Sequence, residues 1–473
     1  MWKLSSWRCP DIPYDIPGPK SREYLERVKR VTPGGLNPRY LDIMNTMASF
    51  IVDGADLYHI YDVDGYKYID FTSGWASNNV GNIHPEVLDA SIEALKKYGF
   101  VYNHPLAIEL SERLVEITPE KLTRVSMEVS GTEAAEAAVS YALTAKKRPN
   151  IISFYGSYHG DSIGARLIGA HEAGRKKYFE ALEGGGVIYI PYPRSYKLPP
   201  GMTQDEFAKY ILWYLDDLIL EYHAEPERIA AILYEPMLAE GGNYIPPKFF
   251  PKKLGELAKK YGWLIIADEV LTGFGRTGKF WAIEHYDIDI DILVTAKGLT
   301  GGLIPIGAVV MSDEVAGFEK AYSGSTFAGN PAGCAAALKT IEIIYRDNLL
   351  ENVERYGMEA LKIMREWVDK YSFIVESRGV GYFLATSIET GKGDEADIEI
   401  AKRIFIEAKK HGVWVIWDDE PHIRIYPPLN MPLDILIDGL EKLEKAISVI
   451  EREYKEGLIK LPEKRQTIEF FDF

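Results

Sequence analysis

The stretch from Trp263 to Pro305 constrains this chain more than any other. Its first piece, Trp263-Leu264-Ile265-Ile266-Ala267, is a short apolar run of the kind that forms a parallel strand buried on both faces, and it ends in two adjacent acids, Asp268 and Glu269. A second run, Ile290 to Thr295, ends in Ala296-Lys297-Gly298. In an open α/β sheet the ligand crevice lies beyond the carboxyl ends of the strands, so a carboxylate and a lysine leaving two neighbouring strand ends meet there. The pattern predicts an α/β fold with its site at that edge.

Such a pair suits pyridoxal phosphate chemistry. A lysine holds the cofactor covalently, while an acid facing the pyridine nitrogen keeps the ring protonated and able to accept electrons from a substrate's α carbon. Equally, Asp268 caps the next segment and Lys297 is one more solvated lysine, and on these two residues alone both readings stand. The same stretch contains G-x-G-x-x-G at Gly273, Gly275 and Gly278 directly after a strand. A dinucleotide site needs a helix to open at the third glycine, but Lys279-Phe280-Trp281-Ala282 leads into Ile283-Glu284-His285-Tyr286-Asp287 without a long apolar period, so none is expected.

The net charge of −16 argues against nucleic acid or an anionic membrane as the main partner. At 473 residues and 47% hydrophobic content the chain has room for two domains. Cys9 and Cys334 have no metal spacing and provide no disulfide framework, which with the absence of a membrane-length apolar run or a signal-peptide core after Met1 predicts a cytoplasmic protein without a metal site. Glutamine occurs only at Gln204 and Gln466 while acids, lysine and isoleucine abound, a lean towards a thermophile.

Taken in order, residues 1 to about 50 are polar and proline-punctuated, with one amphipathic helix predicted over Ser21 to Val31. Alternation from Ser49 to Asp70, turning at Asp64-Gly65, predicts a small antiparallel sheet. A short strand ending near Ser130 is followed by Gly131-Thr132-Glu133 and an alanine-rich helix to about Lys146. That helix start is either a plain cap or a phosphate site, since its N–H groups and dipole favour an anion. The strand Asn150 to Phe154 leads to Tyr158 and His159, which are either satisfied loop residues or a stack for a planar ring. Further strands are predicted at Val187 to Ile190 and at Ile229 to Tyr234, the latter ending in Glu235-Pro236. Gln204 to His223 and Leu433 to Tyr454 read as amphipathic helices. In Ile423-Arg424-Ile425-Tyr426-Pro427-Pro428-Leu429 the arginine is either an edge-strand charge or a two-pronged carboxylate donor.

Asp268-Glu269-Val270, the Gly273 to Gly278 loop, Lys297-Gly298 with Gly301-Gly302, and Pro305-Ile306-Gly307-Ala308 together resemble the class III aminotransferases, and the resemblance extends from about residue 30 to 455. It implies a fold type I, pyridoxal-phosphate-dependent transferase: a mainly parallel seven-stranded sheet flanked by helices, with a smaller α+β C-terminal domain. The expected division is an N-terminal segment, 1–60, packing on the small domain and on a partner subunit, a large cofactor-binding domain, 61–330, and a small domain, 331–473. By this resemblance Lys297 is the Schiff-base lysine and Asp268 the partner of the pyridine nitrogen. Val270 packs on the ring face, Tyr158 stacks on the other, and His159 supports it. Ser130, Gly131 and Thr132 form the phosphate cup, Glu235 belongs to the cofactor site, and Thr326 donates to the phosphate of the other subunit's cofactor, which implies a homodimer with shared sites, or a higher oligomer. Departures are Val129 and Ala135, where asparagine is usual, and Leu238, where glutamine is.

The activity so implied is a ping-pong exchange between a small amine and a keto acid, with Arg424 gripping the substrate carboxylate and Glu240 able to pair with Arg424 as in the 4-aminobutyrate and ornithine branches. Asp161 stands where 4-aminobutyrate enzymes carry an arginine and would repel a distal carboxylate. Trp75 provides an apolar entrance wall, and Leu271 replaces a glutamine. These departures favour an amine:pyruvate omega-transaminase. The rivals are a 4-aminobutyrate or ornithine aminotransferase, an amino-acid racemase using the same lysine with a second base opposite, and a non-catalytic cofactor-binding scaffold, which the presence of both Lys297 and Asp268 disfavours.

Overall fold

A computed structural model describes residues 16–31, 50–99, 103–171, 186–317 and 324–462. The alternating segment folds as β1 (Val52–Asp56), β2 (His59–Asp62) and β3 (Lys67–Asp70), an antiparallel set. The apolar runs become β4 (Leu122–Glu128), β5 (Asn150–Phe154), β6 (Val187–Ile190), β7 (Ile229–Tyr234), β8 (Leu264–Asp268), β9 (Ile292–Thr295) and β10 (Gly307–Ser312), joined in the order β4-β10-β9-β8-β7-β5-β6. β5 to β9 pair in parallel, and β10 runs antiparallel to both β9 and β4. The reversal follows from chain length: a parallel return needs a crossover of a dozen or more residues, and residues 296–306 are too few. Every residue of β7, Ile-Ala-Ala-Ile-Leu-Tyr, is buried, as expected for a strand covered on both faces.

The longer helices are α1 (Pro19–Val31), α2 (Pro85–Tyr98), α3 (Pro105–Ile117), α4 (Gly131–Lys146), α5 (Gln204–Trp213), α6 (Phe249–Tyr261), α7 (Pro331–Arg346), α8 (Leu349–Lys370), α9 (Asp394–Lys410) and α10 (Leu433–Lys455). α4 lies on the sheet through Ala134, Ala138 and Ala142, whose small side chains let the helix come close. The helix predicted over Gln204 to His223 is broken: α5 passes into a π turn at Tyr214–Ile219 and a short α turn at Leu220–Tyr222. Phe207, Ile211, Leu215 and Ile219 are buried at every fourth residue, a spacing that overshoots the 3.6-residue turn, and the wider π turn returns the last of them to the core. C-terminally, β11 (Ile374–Val380), β12 (Phe383–Ile388) and β14 (His422–Ile425) form an antiparallel sheet, while β13 (Val413–Trp414) runs parallel to β3. Among the described residues no helix is long and apolar enough to cross a membrane, and no group of three or more His, Cys, Asp or Glu is placed to hold a metal.

Directly after β3 the backbone winds the wrong way. Ser73, Gly74, Trp75 and Ala76 have φ of 45°, 57°, 57° and 60°, a left-handed turn in which three of the four residues carry a β-carbon. Asp70, fully buried, holds this turn. Its Oδ1 accepts from Thr72 N at 2.8 Å, Thr72 Oγ1 at 2.7 Å and Ser73 N at 3.1 Å, and its Oδ2 accepts from Asn82 Nδ2 at 2.9 Å. Asp70→Ala strands these donors and should cost about 3 kcal/mol or more in denaturant unfolding, against less than about 0.5 kcal/mol for exposed Asp53→Ala.

Glu269, also fully buried, organises the loop after β8 by accepting from Thr272 Oγ1 at 2.5 Å, Ala282 N at 3.0 Å and Ile283 N at 2.7 Å. Burial pushes its carboxyl up to about 7 from an ordinary 4.5. A carboxyl raised on folding gives stability that is whole below the unfolded value and is lost as pH rises through the folded one. The melting-temperature gap between wild type and Glu269→Gln should therefore narrow as pH is raised from about 5 to about 8 in a thermal scan.

Candidate active site

The carboxyl ends of the parallel strands open on a cavity of about 380 Å³, within the range of small-molecule sites. Asp268, the last residue of β8, is 5% exposed. Its Oδ2 lies 2.6 Å from Nδ1 of His159 and its Oδ1 accepts from Val270 N at 2.9 Å, so a negative group is fixed at the cavity floor. Lys297 follows β9 at the head of a tight 3₁₀ turn, Lys297–Thr300, with φ of 39°. The turn is packed so closely that a β-carbon on Gly298 would stand 2.3 Å from Asn79 Nδ2. Asp268 and Lys297 line the same cavity.

At the other end, α4 opens on the cavity through Ser130, Gly131 and Thr132. The cap of this helix is Ser130, whose Oγ accepts from Glu133 N at 3.2 Å, and Thr132 lies inside the first turn. A β-carbon on Gly131 would meet Val270 Cγ1 at 3.0 Å, so the helix start, Val270 and the β9 end form one close-packed cradle. Tyr158, His159, Glu235, Glu240 and Val270 also line the cavity. Glu235, at the end of β7, accepts from Tyr158 N and from Ala239 N, each at 2.9 Å, and so spaces the loop bearing Tyr158 from the loop bearing Glu240. Burial pushes the Glu235 carboxyl up, His159 partly offsets this, and Asp268 adds to it.

Four residues singled out from the sequence lie off the cavity wall. Trp75 packs in an apolar cluster with Met237, Ala239 and Leu271, of which Ala239 and Leu271 do line the cavity. Asp161 accepts from Tyr158 Oη at 2.9 Å and stands 3.7 Å from Arg166. Thr326 is exposed on this chain. Arg424, 3% exposed, donates through Nη1 to Glu240 Oε2 at 3.0 Å and to Ala239 O at 3.3 Å, and through Nη2 to Asp418. Burial works against its charge, but Tyr426, Glu240 and Asp418 hold its pKa well above the ordinary value.

Sequence reasoning passed over Asp418 and the cavity-lining Ser77, Thr272 and Thr300. A signal for Asp418 existed in the acidic run Asp418-Asp419-Glu420 just ahead of the arginine strand. The Gly273 to Gly278 loop opens no helix among the described residues. Its glycines serve packing: a β-carbon on Gly273 would meet Trp281 at 2.8 Å, and one on Gly275 would meet Leu429 at 2.7 Å.

These groups fit a flat, phosphorylated aldehyde. Lys297 offers the amine, Asp268 the acid, and the start of α4 the phosphate end. His159 Nε2 is buried without a hydrogen-bond partner among the described residues, an orphaned polar atom beside the acid.

The family model for class III aminotransferases matches residues 42–447. Over 463 residues the chain is 30% identical to an alanine/serine racemase of Pyrococcus horikoshii, covering 95% of this chain and 93% of that protein. Over 403 residues it is 32% identical to a probable 4-aminobutyrate aminotransferase of Bacillus subtilis, covering 84% and 91%. Its structure is similar to a PLP-bound amine transaminase from an uncultivated Pseudomonas species, with a TM-score of 0.80 and 27% identity over 86% of this chain and 96% of that one. With the match spanning most of its length and the fold in agreement, the chain belongs to the class III aminotransferases, fold type I enzymes that use pyridoxal 5'-phosphate.

Proposed function

We propose that this enzyme moves an amino group from an amine or omega-amino donor to a keto acid such as pyruvate in a ping-pong exchange. The observation that carries the reading is a cavity in which Lys297 and Asp268 stand with apolar Val270, Leu271, Leu303 and Ile304, while Arg424 is held outside it by two carboxylates. Such a wall favours an alkyl or aryl group over a distal carboxylate. Bound pyridoxal phosphate supplies the electron sink beside the donor's amine carbon. Asp268 would keep the ring nitrogen cationic. Lys297 would hold the group through its amine and, once displaced by the donor, would act at Nζ as the base that takes the donor-carbon proton and as the acid that gives it back two atoms further along. Arg424 receives the keto acid's carboxylate once a counter-ion yields. Tyr158 and Val270 would hold the ring, and Ser130, Gly131 and Thr132 would hold its phosphate.

A homodimer is the working unit in this reading. Thr326 stands exposed beside Phe327, which is 54% exposed, and α2 turns Leu88, Ile92 and Leu95 outward, an apolar stripe suited to a second copy.

One observation favours a second reading. Glu240 lines the cavity with Lys297, and a racemase needs a second proton carrier facing the first. The similarity to an alanine/serine racemase supports it as well.

Borohydride reduction of the holoenzyme, followed by peptide mapping, should place the cofactor on Lys297. Asp268→Asn should lower turnover at least about a hundredfold, as expected for loss of a buried countercharge. With pyruvate as acceptor, 1-phenylethylamine and aliphatic amines should yield alanine at least about tenfold faster than 4-aminobutyrate does, the cost of seating a distal carboxylate in this cavity. The proposal fails if only 4-aminobutyrate reacts, or if L-alanine is racemised without any keto acid and no amine is consumed.

A further inference from the structure

We propose that Asp418 is a specificity-determining positioning residue, which occupies one arm of the Arg424 guanidinium and so holds the site against substrate carboxylates. This rests on the reading of Arg424 as the carboxylate receptor. The chain folds back ahead of β14, with Ile416 N donating to Arg424 O and Arg424 N to Ile416 O, each at 3.0 Å. That short antiparallel bridge brings Asp418 alongside the arginine two residues further on. A guanidinium grips a carboxylate with two parallel N–H groups, and here both arms are taken, Nη1 by Glu240 and Nη2 by Asp418.

The two counter-ions are not equivalent. The Glu240 side chain is 2% exposed and forms part of the cavity wall, whereas that of Asp418 is 17% exposed and sits on a connecting loop. Both carboxyl groups already occupy the guanidinium. A substrate carboxylate must therefore enter against repulsion from whichever counter-ion stays and must displace the other. A donor without a carboxylate meets neither obstacle. Asp418 thus weights the enzyme towards such donors and makes the keto-acid half-reaction the demanding one for binding.

Asp418→Asn keeps the shape and removes the charge. Titration of the pyridoxal-phosphate-loaded enzyme with propionate by calorimetry should show Kd falling about tenfold, as expected for loss of a charged hydrogen-bond competitor. The ratio of KM for pyruvate to KM for a neutral amine should fall by a similar factor. Asp418→Ser, checked for an unchanged melting temperature, gives the same reading should the asparagine variant fold poorly. Arg424→Gln should weaken propionate instead. If propionate binds no tighter to either Asp418 variant while Arg424→Gln weakens it, the inference is wrong and the receptor reading stands. If Arg424→Gln leaves propionate binding unchanged, the receptor reading falls and the inference with it.

Discussion

A carboxylate at the end of a buried strand has to be satisfied, and the way Asp268 is satisfied arranges the rest of the site. An unpaired charge there would cost several kcal/mol. Its partner is His159, whose side chain is wholly buried and whose Nδ1 lies 2.6 Å away. In the sheet β5 and β8 are separated by β7, so the loop after β5 must cross the end of β7 to deliver that histidine. Glu235, standing at the end crossed over, accepts the Tyr158 N–H from one loop and the Ala239 N–H from the other. Three neighbouring strand ends are thereby knit together, and the positions of Tyr158 and of Glu240 follow from the same crossing.

The glycine-rich loop answers a second constraint. Arg276 is fully buried, and burial lowers its pKa to about 9. It donates to Asn79 Oδ1 at 2.6 Å and to Pro427 O, tying the loop after β8 to the segment that follows the Arg424 strand. Gly273 and Gly275 let that loop lie flat against Trp281 and Leu429 while the arginine reaches across. Spacing that imitates a nucleotide fingerprint thus has a packing origin.

Much of the fold was legible in the sequence because buried parallel strands are written as unbroken apolar runs, whereas the pair of Asp268 and Lys297 left two readings open and took its roles from the family resemblance. The α4 start was legible from its alanine-rich run after Gly131-Thr132-Glu133, and its cap is Ser130. The direction of β10 was not written in its residues, since Gly-Ala-Val-Val-Met-Ser suits either direction, and only the short connection before it decides. The pairing of Arg424 with Glu240 was readable through the family resemblance, but its second partner, Asp418, was not, because it reaches the arginine from a hairpin position that no local pattern links to it. The turn at Ser73 to Ala76 left even less trace: it contains a single glycine and depends on Asp70 and on Ser73 Oγ donating to Tyr426 O, far along the chain.

That left-handed turn bears on how the enzyme can change. Widening a pocket by trimming a large side chain ordinarily loosens a protein, because the void is not refilled. Trp75, however, rides on backbone that only glycine adopts without strain, so shortening it to glycine sheds bulk and relaxes the main chain at once. At this one position the two effects oppose each other, so the apolar cluster of Trp75 with Met237, Ala239 and Leu271 beside the cavity is most adaptable where the backbone is wound against the grain.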